Sequence, residues 1–91
     1  MSQKVQRVTD QNSSGAAILT TPNTKVYAGG LLVAVDGSTV APHLAGPHLA
    51  AVTANGSSKV FIGGIPVTRE GDLDSCADAR VNGSTKVFLG A

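Results

Sequence analysis

A short phrase used three times constrains this chain more than any other feature. It reads Asn23-Thr24-Lys25-Val26-Tyr27-Ala28-Gly29-Gly30, then Ser57-Ser58-Lys59-Val60-Phe61-Ile62-Gly63-Gly64, then Ser84-Thr85-Lys86-Val87-Phe88-Leu89-Gly90-Ala91. Val, an aromatic and an aliphatic in succession favour a strand, while the small polar residues before them and the glycine after them mark turns. The lysines of successive copies stand 34 and then 27 residues apart, too irregular for a long solenoid. Three imperfect copies in so short a chain predict one closed unit with approximate threefold internal symmetry. Strand alternation places Lys and the aromatic on one face and Val with the following aliphatic on the other. Val26/Ala28, Val60/Ile62 and Val87/Leu89 are therefore expected to converge on a small shared core. Three strands of an ordinary small barrel or sandwich are the plainer alternative, and periodicity alone does not choose.

Ninety-one residues predict a single domain over 1–91, with residues 1–10 as an N-terminal edge segment. A core this small stabilises marginally without a metal, disulfide or partner. With two Phe, one Tyr and no Trp, large core anchors are scarce, and 11 Gly with 4 Pro oppose long helices. The expected class is all-β. Seven basic residues against six acidic ones, without a basic run, argue against a nucleic-acid surface. The polar start Met1-Ser2-Gln3-Lys4 lacks a signal-peptide apolar run, and no stretch approaches a membrane span, so synthesis in the cytoplasm is expected.

One Cys excludes an internal disulfide and leaves a buried thiol, a reactive thiol or a metal ligand. Cys76 joins His43 and His48 as the soft or borderline ligands of the chain. Imidazole and thiolate are the usual zinc donors, and Pro42 and Pro47 stiffen the backbone before each His. Pro-His-x4-His followed by one Cys is no standard zinc spacing, so exposed histidines and a small buried thiol are the alternative. The same residues would serve a Cys-dependent hydrolase, with Cys76 as nucleophile and His43 or His48 as base. Such an enzyme also needs an oxyanion hole and a cleft, for which the domain has little room, and no Gly-x-Ser-x-Gly elbow is present. No enzyme is expected. Asp72, Asp74 and Asp78 fail the EF-hand pattern.

Together these features resemble the PAAR-repeat family, named for a Pro-Ala-Ala-Arg segment. Its members show Gly-Ser … Val-x-Ile-Asn-Gly-x-Pro-Ala-Ala-Arg-x-Gly-Asp, followed shortly by Cys. Here Gly56-Ser57 through Gly63-Gly64-Ile65-Pro66-Val67-Thr68-Arg69-Glu70-Gly71-Asp72 fills that run, and Cys76 comes at the expected place. Pro42-His43 and His48 match the family's central histidines, and Gly83-Ser84-Thr85-Lys86-Val87-Phe88-Leu89-Gly90 matches its closing repeat. The likeness runs from about Thr9 onward.

The resemblance implies a small cone of β-hairpins with pseudo-threefold symmetry, capping a trimeric β-helical spike in a contractile injection machine. The partner would be the central spike of a phage tail or the VgrG-like spike of a type VI secretion system, one tip per trimer. The target membrane would be met mechanically, and any effector would be non-covalent. The resemblance further implies a zinc ion held by three His and one Cys near the pointed vertex, with His43, His48 and Cys76 as ligands here. The family's remaining His belongs in the first loop, where this chain has Asn12-Ser13-Ser14-Gly15-Ala16. Water, Asp10, Asp74 or Asp78 would then take the fourth position, or the site is degenerate. Iron in place of zinc stays open, as does a free-standing zinc-binding β module.

Overall fold

The computed structural model describes residues 2–42, 51–81, 83–84 and 87–90. Among them there is no helix; eight strands run β1 Ser2–Lys4, β2 Ile18–Thr20, β3 Tyr27–Ala28, β4 Leu31–Leu32, β5 Thr39–Val40, β6 Phe61–Ile62, β7 Ile65–Pro66 and β8 Phe88–Gly90. The strands are short because glycine and turn residues interrupt every apolar run.

The predicted threefold organisation is present and is carried by the backbone. Two copies of the repeat fold back at their Gly-Gly pairs, so that β3 pairs with β4 and β6 with β7, both antiparallel. The third copy pairs differently. Its β8 pairs instead with β1, with Ser2 opposite Gly90 and Lys4 opposite Phe88. The expected edge role of the N-terminal segment is thus to complete the third hairpin.

After each hairpin the chain crosses the axis, as residues 5–7, 33–35 and 67–69. Bridges Val5–Arg69, Val35–Val67 and Arg7–Val33 join the three crossings in a cycle. At its centre is a closed ring of amides: Gln6 N–H donates to Thr68 O (3.0 Å), Thr68 N–H to Ala34 O (2.9 Å), and Ala34 N–H to Gln6 O (2.9 Å). Each amide in the ring is buried and satisfied by the next sector, as a buried backbone requires.

Each crossing ends in an equivalent turn, Arg7–Asp10, Val35–Ser38 and Arg69–Asp72. The fourth residue's N–H donates to the first residue's carbonyl in each. The third residue takes positive φ: Thr9 at 83°, Gly37 at 87° and Gly71 at 87°. This is the type II pattern, which favours glycine there; Thr9 holds the same geometry with a β-branched side chain. Lower hairpins follow, marked by bridges Gln11–Ala17, Thr39–Val52 and Leu73–Ala79. They are tied to one another by Asn12–Arg80, Thr53–Asp74 and the pairing of Ile18 with Val40.

Among the described residues buried apolar side chains form two clusters. The first gathers Val5, Ala28, Val33, Val35 and Val67, with Ile62 and Ile65 against it. The second gathers Ala16, Val40 and Ala51, with Ala41 and Cys76 against it. Here the structure corrects the expectation for the repeat valines. Ala28 is buried and Ile62 packs on the core, but Val26, Val60 and Val87 are exposed. The valine that each sector buries beside its hairpin is Val5, Val33 or Val67, which follows the hairpin rather than opens it.

Candidate functional site

Cys76 lies in the tight lower loop of the third sector. Asp74 N–H donates to Asp78 O (2.8 Å) and Ala77 N–H to Asp74 O (2.8 Å), which closes the loop with Ala77 at φ 71°. The half-buried thiol lies 3.6 Å from Asp78 Oδ2. The first-sector loop, 12–16, is the threefold counterpart of 74–78. Its Asn12 Oδ1 accepts from Ser14 N–H (2.9 Å) and Ala16 N–H (3.0 Å), folding the loop around one side chain. Ser14, at the place where the sequence lacks the family's extra His, donates its hydroxyl to Asp78 Oδ2 at 2.9 Å. Cys76, Ser14 and Asp78 are thus brought together from two sectors.

The second-sector loop is the long one. His43 and His48 lie outside the described residues. Its described flanks do not: Ala51 belongs to the cluster on which both Ala41 and Cys76 pack. Chain therefore enters and leaves the histidine segment at the cluster that holds Cys76. Among the described residues no three of His, Cys, Asp and Glu form a group able to hold a metal ion.

The three carboxylates considered as a fourth ligand have different surroundings. Asp10 accepts from Arg7 Nε (3.0 Å), Nη2 (3.2 Å) and backbone N–H (2.8 Å). Asp74 is fully buried, its Oδ2 taking Arg80 Nη1 (2.9 Å) and Asn12 Nδ2 (2.9 Å). Both are bound to cations that a metal would have to displace. Asp78 is the one facing the thiol.

Sequence reasoning missed a buried cation that ties the first sector to the third. Arg80 is buried, and its guanidinium donates to Gln6 Oε1 (3.1 Å) and to the carbonyls of Asp10 (2.6 Å) and Ala16 (3.4 Å), besides Asp74. Burial pushes its pKa below the ordinary arginine value, while Asp74 beside it acts the other way. Arginine is seldom fully buried unless paired, and Asp78-Ala79-Arg80 carries no local signal of it. The ion pair of the third turn, Arg69 with Asp72 at 2.8 Å, is partly exposed, and the hydrogen bond Arg69 donates to Asp72 raises the Arg69 pKa.

The hairpin half carries the second candidate surface. Tyr27, Phe61 and Phe88 sit at equivalent positions and are 59%, 51% and 47% exposed. Exposed large apolar residues in a cluster mark a contact surface more often than chance.

Three hairpin sectors close around one axis in an all-β module, with a cysteine-bearing loop in the lower half and a triplicate apolar surface on the hairpins. The chain belongs to the PAAR motif family, whose model matches residues 8–81. That motif is known from spike-tip proteins of contractile injection systems, and the family is a structural one. No curated protein matches the chain. Among the described residues no helix is long and apolar enough to cross a membrane.

Proposed function

We propose that this chain is the structural tip of a contractile injection machine, one metal-stapled cone capping a trimeric β-helical spike in a phage tail or a type VI secretion system. The observation that carries the reading is the cyclic Gln6–Thr68–Ala34 ring with its three matching hairpins. A single chain with this symmetry can sit on a true threefold axis and meet all three subunits of a homotrimer alike. Nothing in the task requires turnover, and capping the trimer would also cover the exposed strand edges of the hairpins.

Zinc is proposed as the staple, held by His43, His48 and Cys76 with Asp78 as the fourth ligand. Proximity to the thiol favours Asp78 over Asp10 and Asp74, which are bound to Arg7 and Arg80. A closed four-ligand zinc contributes folding free energy directly, because the unfolded chain has no preformed site. Here it would tie the lower loops of the second and third sectors, with Ser14 of the first holding Asp78 in place.

Elemental analysis of the purified protein tests the metal. About one zinc per chain is expected, falling severalfold in Cys76→Ser and in Asp78→Ala, with a lower melting temperature after chelation. Less than about a tenth of an equivalent in the native protein would remove the staple from the proposal. Native mass spectrometry with the spike trimer of the source particle tests the cap, with a one-to-three complex expected.

A further inference from the structure

The apolar surface of the hairpin half is concave at its centre. Val5, Val33 and Val67 form the buried floor of an open pocket of about 190 Å³, and Val26, Val60 and Val87 form its wall. Each sector contributes one floor valine and one wall valine, so the pseudo-threefold axis runs through the pocket. Tyr27, Phe61 and Phe88 stand beside the wall valines, one in each sector. The repeat valines do converge, but around an opening rather than inside the core.

Lysine is the charged residue of the hairpin segments themselves. The hairpin segments 1–6, 23–32, 57–66 and 84–91 contain Lys4, Lys25, Lys59 and Lys86, and none of the six acidic residues. Lys25 and Lys59 are exposed. The six acidic residues, at 10, 36, 70, 72, 74 and 78, lie in the turns and lower loops of the sequence, and of these Glu70 reaches β1, its Oε1 accepting from Lys4 N–H at 3.1 Å.

We infer that the pocket is the seat of an axial apolar plug, three copies of one small or medium apolar side chain presented by a homotrimer whose rim is acidic. The inference rests on the spike-cap reading and names how the partner is recognised. A plug of identical side chains fits a pocket whose walls recur in threes, and apolar burial at the centre with charge outside it is the usual anatomy of a specific interface. Lysine opposite acidic residues would steer and register the docking. A second copy of this chain is disfavoured, because two such faces would set lysine against lysine. A lipid surface is disfavoured too, since a laterally uniform layer makes no use of a threefold concavity.

The test uses the full chain with the full-length homotrimeric spike of the same machine, by titration calorimetry at low and high salt. Phe61→Ala is expected to weaken binding on the order of tenfold. Val60→Asp, which leaves a charge in the pocket, is expected to weaken it on the order of a hundredfold or more. Native binding should weaken with salt, whereas Lys25→Glu with Lys59→Glu should bind more weakly at low salt and recover as salt rises. These side chains are exposed, so unchanged melting temperatures separate lost contact from lost fold. If the native chain binds the trimer and all these variants bind equally well, this inference is overturned while the cap stands. Absence of any native complex would remove both. Phosphatidylcholine–phosphatidylserine vesicles provide the last arm: vesicle binding lost in the same variants, with trimer binding intact, would assign the face to membrane and overturn the plug.

Discussion

The hairpin half and the loop half of this molecule obey the same symmetry in different ways. In the hairpins it extends to the side chains: Val5, Val33 and Val67 are one residue used three times, and Tyr27, Phe61 and Phe88 nearly so. In the loops only the backbone repeats. The position that receives the N–H of Thr9, Gly37 or Gly71 is Ile18 in one sector, Thr53 in the next and Arg80 in the third. Asn12, Val40 and Asp74 are likewise equivalent in their pairing and unlike in chemistry. Backbone amides alone therefore suffice to fix the threefold arrangement. Two of the turns repeat a side-chain contact as well, Arg7 with Asp10 and Arg69 with Asp72, whereas the Arg80–Asp74 pair and the cysteine loop each belong to one sector.

The sharpest way to break that contrast is at Arg80. Arg80→Met leaves the buried Asp74 carboxylate without its cation and should cost about 3–5 kcal/mol, enough to unfold a domain of this size. Adding Asp74→Asn should restore much of the loss in urea unfolding. A single Arg80→Met variant as stable as the native chain would mean the ion pair does not hold the loops. The valine floor comes next. Val5→Ala, Val33→Ala and Val67→Ala should each cost about 2 kcal/mol, from two lost methyl groups at about 0.8 kcal/mol each plus a small void. Costs that differ widely among the three would show that the sectors share a shape without sharing energetics.

How far this was legible beforehand follows from which residues repeat. The Lys-Val-aromatic phrase revealed the symmetry because its three copies are contiguous. The second repeated unit, Val5–Asp10, Val33–Ser38 and Val67–Asp72, was hidden. Thr9 stands where Gly37 and Gly71 mark the turn, and the first copy is parted from its own hairpin by the whole chain. The valines of the phrase were assigned to the core because alternation separates two faces without saying that solvent reaches both. Arg80 was invisible since burial of a guanidinium depends on Gln6, Asp10, Ala16 and Asp74, which sequence does not place together. Of the expected ligands, Cys76 found Asp78, the carboxylate two residues on. The missing histidine of the first loop became Ser14 bonded to that same Asp78.

Two smaller effects refine the comparison. Thr9→Gly should stabilise by about 1 kcal/mol, since relief of left-handed strain exceeds the entropy gained by the unfolded chain. Gly37→Thr should destabilise, and thermal melts of the pair would show the turns to be interchangeable. Asp36 gives the smallest signal. Burial raises its pKa from 3.8, partly offset by the hydrogen bond from Gly56 N–H. A carboxyl with a raised native pKa binds its proton more tightly when folded. Its penalty is absent at low pH, grows as pH rises through 3.8, and is complete above the native pKa. Asp36→Asn should therefore gain on the native chain towards neutral pH and match it in acid; a constant difference across that range would exclude the titration.

The pairing of Ser2 with Gly90 also sets the cost of closing the third hairpin. The β3–β4 and β6–β7 hairpins close over a few residues, an event of microseconds. The third closes nearly the whole chain and carries the corresponding entropy of loop closure. Gln6 belongs to the amide ring and Val5 to the pocket floor, and both follow directly on β1. Both features therefore join the start of the chain to its middle, Gln6 to Ala34 and Thr68, and the axis of the molecule depends on the N-terminal segment being docked.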